Sequence, residues 1–133
     1  MSLGFGKKLP WNSKYFYMQK IEHRNIQKGD IWLIENIDAV GHVQNGIRPH
    51  VVVTQVTGET VTVAPCTSIK KRVHQKYVVE ISPTKNNGLR TISFVLLAQS
   101  FAADVSLLEK KIDHLDQNEI ARIQLEYVKY VTD

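Results

Sequence analysis

A chain of 133 residues, 43% hydrophobic and 23% charged, has room for one domain with a proper core and little room for two. No apolar run approaches the length of a membrane helix, and the only cysteine, Cys66, excludes an intramolecular disulfide and fits a reducing cytosol. The formal charge of +4 is unevenly placed: residues 1–28 carry Lys7, Lys8, Lys14, Lys20, Arg24 and Lys28 against Glu22 alone, a net +5 that leaves −1 for the remainder.

Residues 1–26 mix Gly, Pro and Lys with Phe5, Trp11, Tyr15, Phe16 and Tyr17, and hold no continuous apolar stretch of the kind a secretory signal needs. We expect a basic, aromatic extension, with a short helix over Trp11–Ile21, ahead of a domain at 27–133. Its rings either cover apolar surface of the domain, the reading we prefer, or stack on bases while its lysines meet phosphates.

From Gln27 the signals are those of short strands between turns. Asp30–Glu35, with Ile31, Trp32, Leu33 and Ile34, is a core strand after the Lys28-Gly29 turn. A polar loop follows over Asp38–Arg48, then strands at Pro49–Val56, Glu59–Ala64, Lys76–Ile81 and Thr91–Gln99. A short helical turn is expected around Ala103–Leu108. Asp116 with Glu119 three residues on makes a capping box, and Ile120, Ile123, Tyr127 and Val131 fall on one face of the helix it starts. The fold class is mainly β with a C-terminal helix, a small β barrel closed by that helix.

Two stretches could carry chemistry. In Gly41-His42-Val43-Gln44-Asn45-Gly46-Ile47-Arg48-Pro49, the proline biases Arg48 toward extended backbone, so its guanidinium projects from a defined strand start. That suits bidentate phosphate binding or stabilisation of a charged transition state. It suits equally an ion pair with a carboxylate across the barrel. In Ala64-Pro65-Cys66-Thr67-Ser68 a strand ends on two hydroxyls that could donate to phosphate oxygens or could satisfy a turn. Lys70, Lys71, Arg72 and Lys76 follow as a cationic cluster around His74. His23, His50, His74 and His114 show no metal-ligand spacing, and His50 and His114 read as structural. Cys66 reads as a buried small hydrophobe.

Taken in order, Gly29-Asp30-Ile31-Trp32, the Gly41–Pro49 loop, Val51–Thr54, Val61–Ser68 and Ser93–Gln99 resemble the MazF/PemK family of toxin endoribonucleases over roughly residues 27–131. The resemblance implies an SH3-like barrel, shared with CcdB-type gyrase poisons. It implies a cytoplasmic homodimer that cuts single-stranded RNA without metal or cofactor and is neutralised by an antitoxin protein. It implies catalytic roles for Arg48, Thr67, His42 and Asp104 and matches Gln44 and Gln99 to its pattern; these two are expected to contact substrate together with Ser68 and the cationic Lys70, Lys71 and Arg72. Two positions depart from the pattern: Val43 stands where a glutamate is common, and Phe101 stands where an arginine supplies the acid in the plasmid-borne branch. The competing reading is a non-catalytic relative that binds nucleic acid or a protein.

Overall fold

Seven strands and one long helix make up the described residues, 25–35, 46–68, 76–85 and 87–133, of the computed structural model. The strands are β1 (Asp30–Glu35), β2 (Ile47–Val52), β3 (Thr60–Thr67), β4 (Val78–Ile81), β5 (Ser93–Leu96), β6 (Phe101–Asp104) and β7 (Leu108–His114). They pair antiparallel in the order β4-β5-β3-β2-β1-β7, with β6 joined to β3. The mainly β class with a C-terminal helix is as expected. The ladder, however, runs open from β4 to β7 among the described residues, where closure had been expected.

β3 organises the site because two successive strands share one of its edges. β5 pairs with its end, Cys66 and Thr67, and β6 pairs with its beginning, Thr60 to Val63. A 3-10 turn at Leu97–Gln99 makes the kink between them. The single strand expected over Thr91–Gln99 is therefore β5 followed by that turn.

The central strands are buried on both faces, which is why they read as continuous apolar runs and not as alternation. Ile31, Val51, Val53 and Ala64 point into one cluster with Cys66, Val79, Val95 and Ile123. Trp32, Ile34, Val52 and Val63 point into a second with Val61, Ala103 and Leu108. Burying each Val or Ile side chain contributes about 1.5–3 kcal/mol, so the two faces together define the fold.

The helix α1 (Gln117–Thr132) starts as its sequence requires, with the Asp116 side chain accepting from the Glu119 backbone and the Glu119 carboxylate accepting from the Asp116 backbone. Ile123 is buried and Ile120 and Tyr127 pack partly against the core, but Val131 is 61% exposed. The apolar face expected to run to Val131 ends one turn early. The last turn instead meets Tyr77, through the Tyr130 ring at 5.5 Å and the Asp133 carboxylate, which accepts from the Tyr77 hydroxyl at 2.7 Å. The helical turn expected around Ala103–Leu108 is a 3-10 turn at Val105–Leu107.

Asp30 ties the start of β1 to β7. It is fully buried, accepts from Gln27 N at 2.8 Å and Trp32 Nε1 at 3.2 Å, and pairs with His114 Nδ1 at 2.8 Å and Lys111 Nζ at 3.2 Å. A buried carboxylate is tolerable only with such partners. His114 is thus structural, as its sequence context suggested.

Candidate active site

Arg48 sits near the start of β2 and Thr67 at the end of β3. His50 pairs with Pro65 across these strands, and continuing that register outward by two residues sets Arg48 level with Thr67. Both line a cleft of about 340 Å³ at this end of the sheet. Ser68, exposed just past the strand, lines it too.

The segment between β4 and β5 adds Arg90 and Thr91 to the lining, and Ser93 at the start of β5 joins them. No aspartate or glutamate is among the described residues of the lining, and neither Arg48 nor Arg90 enters an ion pair among them. The carboxylate partner considered for Arg48 from sequence is therefore absent from the described lining. Two guanidinium groups and several hydroxyls facing one cleft without a counter-charge suit an anion, and a phosphodiester has the right acceptors.

The backbone beneath Arg48 is held by His50. The carbonyl oxygen of Arg48 can only accept, so the Nδ1 of His50 carries the hydrogen of their 3.0 Å bond. Burial lowers the His50 pKa from its usual 6.5, with the nearby Arg48 charge acting in the same direction and the backbone bond opposing, so the ring is neutral near pH 7. Its plane meets the Phe101 ring at 89°, centroids 5.8 Å apart. Phe101, the position where the resemblance expects an arginine, thus packs on the support of Arg48 and is not part of the cleft lining.

Cys66 also lines the cleft, but burial pushes its thiol up to about 12. The thiolate is not populated near neutrality, which removes it as a nucleophile.

Not all the residues named from sequence come together. Arg48, Thr67 and Ser68 do. Gln99 ends the 3-10 turn, exposed and outside the cleft lining. Asp104 pairs with Thr60, at the far end of β3 from Thr67, roughly 23 Å along the strand at about 3.3 Å per residue. There it caps the following 3-10 turn by accepting from Ser106 N at 2.8 Å, so within one chain it neither orients Arg48 nor reaches the cleft. His42, Gln44, Lys70, Lys71 and Arg72 lie outside the described residues, as does Val43.

Arg90 and Thr91 were missed. The signal for them was present in Asn86-Asn87-Gly88, a turn that ends just before a cation and a hydroxyl, but nothing local told which strand end that turn would face. Among the described residues no three His, Cys, Asp or Glu side chains gather into a metal site. Nor is any helix among them long and apolar enough to cross a membrane.

Known proteins share this arrangement of strands. The chain is 29% identical over 102 residues to endoribonuclease EndoA of Bacillus subtilis (strain 168), spanning 74% of this chain and 87% of that one. Crystalline MazF (Form-I) from Deinococcus radiodurans superposes with a TM-score of 0.60 at 19% identity, covering 81% of this chain and 97% of that one. A mycobacterial endoribonuclease in complex with its cognate antitoxin gives 0.61 at 12% identity, covering 80% and 94%. The family model for the PemK-like, MazF-like toxins of type II toxin–antitoxin systems matches residues 27–127, the span that holds β1 to β7 and most of α1, and the chain belongs to that family.

Proposed function

We propose that this protein is an endoribonuclease toxin that cuts single-stranded RNA in the cytoplasm without a metal, and that an antitoxin protein restrains it. The observation that carries this reading is the cleft in which Arg48, Thr67 and Ser68 converge with no described carboxylate to neutralise the arginine.

In the reaction the ribose 2′-oxygen attacks the adjacent phosphorus and gives up its proton to a base. The bond from phosphorus to the 5′-oxygen breaks, and that oxygen takes up a proton. The products are a cyclic phosphate and a free 5′-hydroxyl. Arg48 stabilises the extra negative charge of the phosphorane, where a positioned donor is worth most. Thr67 and Ser68 donate to its oxygens. His42, five residues before β2 in the sequence, has the residue type to exchange the protons near neutral pH, and Gln44 and Lys70–Arg72 would hold flanking nucleotides.

The antitoxin supplies an acidic segment studded with apolar residues, which gains both charge neutralisation and apolar burial along this surface. The active form is a homodimer of the 27–133 domain, with RNA crossing the groove between copies and residues 1–26 as an appendage. The relationship to EndoA, whose name records an endoribonuclease, and the likeness to a toxin structure held with its antitoxin support these statements.

The test is incubation of the purified protein with mixed RNA in EDTA, followed by analysis of fragment ends. Fragments with a 5′-hydroxyl and a cyclic phosphate are expected. RNA left intact but bound would replace this reading with a binding-only role, and cleavage that EDTA abolishes would overturn the metal-free mechanism.

A further inference from the structure

We infer that Arg90 is a second phosphate-binding group of the cleft, gripping the RNA backbone beside the site that Arg48 lines. This rests on the proposed nuclease reading for its substrate, but on separate observations for its placement.

An exposed arginine on a loose loop would carry no such inference, because its side chain would simply be solvated. The loop bearing Arg90 is not loose. Asn87, 1% exposed, fixes it through its side chain: the amide oxygen accepts from Thr84 N and Leu89 N, each at 3.1 Å, and the amide nitrogen donates to Ser82 O at 2.8 Å. The Asn87 backbone nitrogen in turn donates to the Thr84 hydroxyl at 3.2 Å. Gly88 follows at φ +69°, and a Cβ there would clash with the Ile112 side chain, so the loop lies directly against β7. Leu89 then packs on the main core cluster. With both preceding residues seated, Arg90 leaves the loop at the rim of the cleft, and the Thr91 hydroxyl beside it lines the same cleft.

The chemistry of this lining selects an anion with several acceptors. A guanidinium held by packed neighbours loses less entropy on binding than a free one, and two arginines lining one cleft with no carboxylate among its described lining match one phosphate or two successive ones. Arg90 is exposed and enters no ion pair among the described residues, so its replacement leaves the fold intact.

The experiment uses the full chain and three variants, Arg90→Ala, Arg90→Lys and Lys28→Ala, the last an exposed cation at the other end of β1. Affinity for a 2′-O-methyl oligonucleotide, which cannot be cut, is measured against salt concentration, and single-turnover cleavage is measured on the matching RNA. For Arg90→Ala, binding weaker by roughly ten- to hundredfold is expected, the range for losing a charge-assisted hydrogen bond. The log–log salt slope should fall by about 0.7 for one lost contact on a single strand. Arg90→Lys should restore the slope, and Lys28→Ala should leave both quantities unchanged. An Arg90→Ala variant with wild-type affinity and slope overturns the assignment, as does an equal effect from Lys28→Ala or a failure of Arg90→Lys to restore the slope. If the wild-type protein binds with an Arg90-dependent slope but never cuts, the nuclease reading falls while Arg90 keeps its role.

Discussion

His50 donates from Nδ1 to the Arg48 carbonyl oxygen at 3.0 Å while its ring stands at right angles to Phe101. The bond links a buried, neutral imidazole to the backbone that aims the cleft's central arginine. His50→Ala should cost about 1–3 kcal/mol, since it leaves both a cavity and a carbonyl without its partner. It should also slow cleavage through Arg48. His50→Asn, whose amide nitrogen sits near the place of Nδ1, should recover part of both. Chemical denaturation and single-turnover rates on the two variants check this, and equal losses from both would remove the hydrogen bond as the cause.

The same residue gives a pH prediction. Its folded pKa is lowered from 6.5, so the unfolded chain binds the proton more readily than the folded one. The contribution of His50 to stability is complete above the unfolded value and is lost as pH falls from there through the lowered folded value. The melting temperature of the wild type should therefore drop more between pH 7 and the lowered value than that of His50→Asn. Parallel profiles would show that His50 does not carry this dependence.

Asp30→Asn should destabilise the protein by about 2–4 kcal/mol, because it weakens the pairing of a fully buried carboxylate with His114 and Lys111. Those partners are each about a third exposed, which keeps the figure below that for a wholly buried pair. Since Asp30 lies at the end of β1 away from Arg48, which is level with Ile34, the folded fraction should cut at an unchanged rate. A rate loss in fully folded Asp30→Asn protein would place Asp30 in the chemistry.

Cys66, with its thiol pushed up to about 12 by burial, should resist alkylation by iodoacetamide at pH 8 while the protein is folded and react once it is denatured. Intact mass before and after treatment reads this directly. Rapid labelling of the native protein would show the thiol to be accessible.

The elements legible in the sequence were those whose signals are local. Asp30–Glu35 has the bounds that its turn and apolar run prescribe, and Asp116 with Glu119 fixes the start of α1. β6 and β7 escaped because their residues do not alternate cleanly: Leu108-Glu109-Lys110-Lys111 reads as surface, and only pairing with β1 makes it a strand. Arg48 and Thr67 were found through their motifs, and the register of β2 with β3 explains their meeting. Asp104 was named through the resemblance alone, and within one chain the fold sets it apart from the cleft. Proximity in sequence to Gln99 says nothing about which end of β3 the chain has reached after the kink at Leu97–Gln99. Arg90 needs the whole loop held by Asn87 before its position means anything.

Asn87→Ala should consequently act at a distance. Removing the amide leaves Thr84 N, Leu89 N and Ser82 O without their partners, so amide exchange across 84–91 should rise and RNA affinity should fall toward that of Arg90→Ala. Unchanged affinity with a mobile loop would show that the rigidity of this wall is irrelevant to binding.

The central claim, that the cleft around Arg48 performs the cleavage, is tested most directly by single-turnover cutting of a defined RNA in EDTA by the wild type and by Arg48→Ala, with circular dichroism confirming that both are folded. The account predicts a fall of about 10²–10³ in rate for the variant, the usual consequence of removing one positioned transition-state donor. A folded Arg48→Ala protein that cuts at the wild-type rate would contradict it.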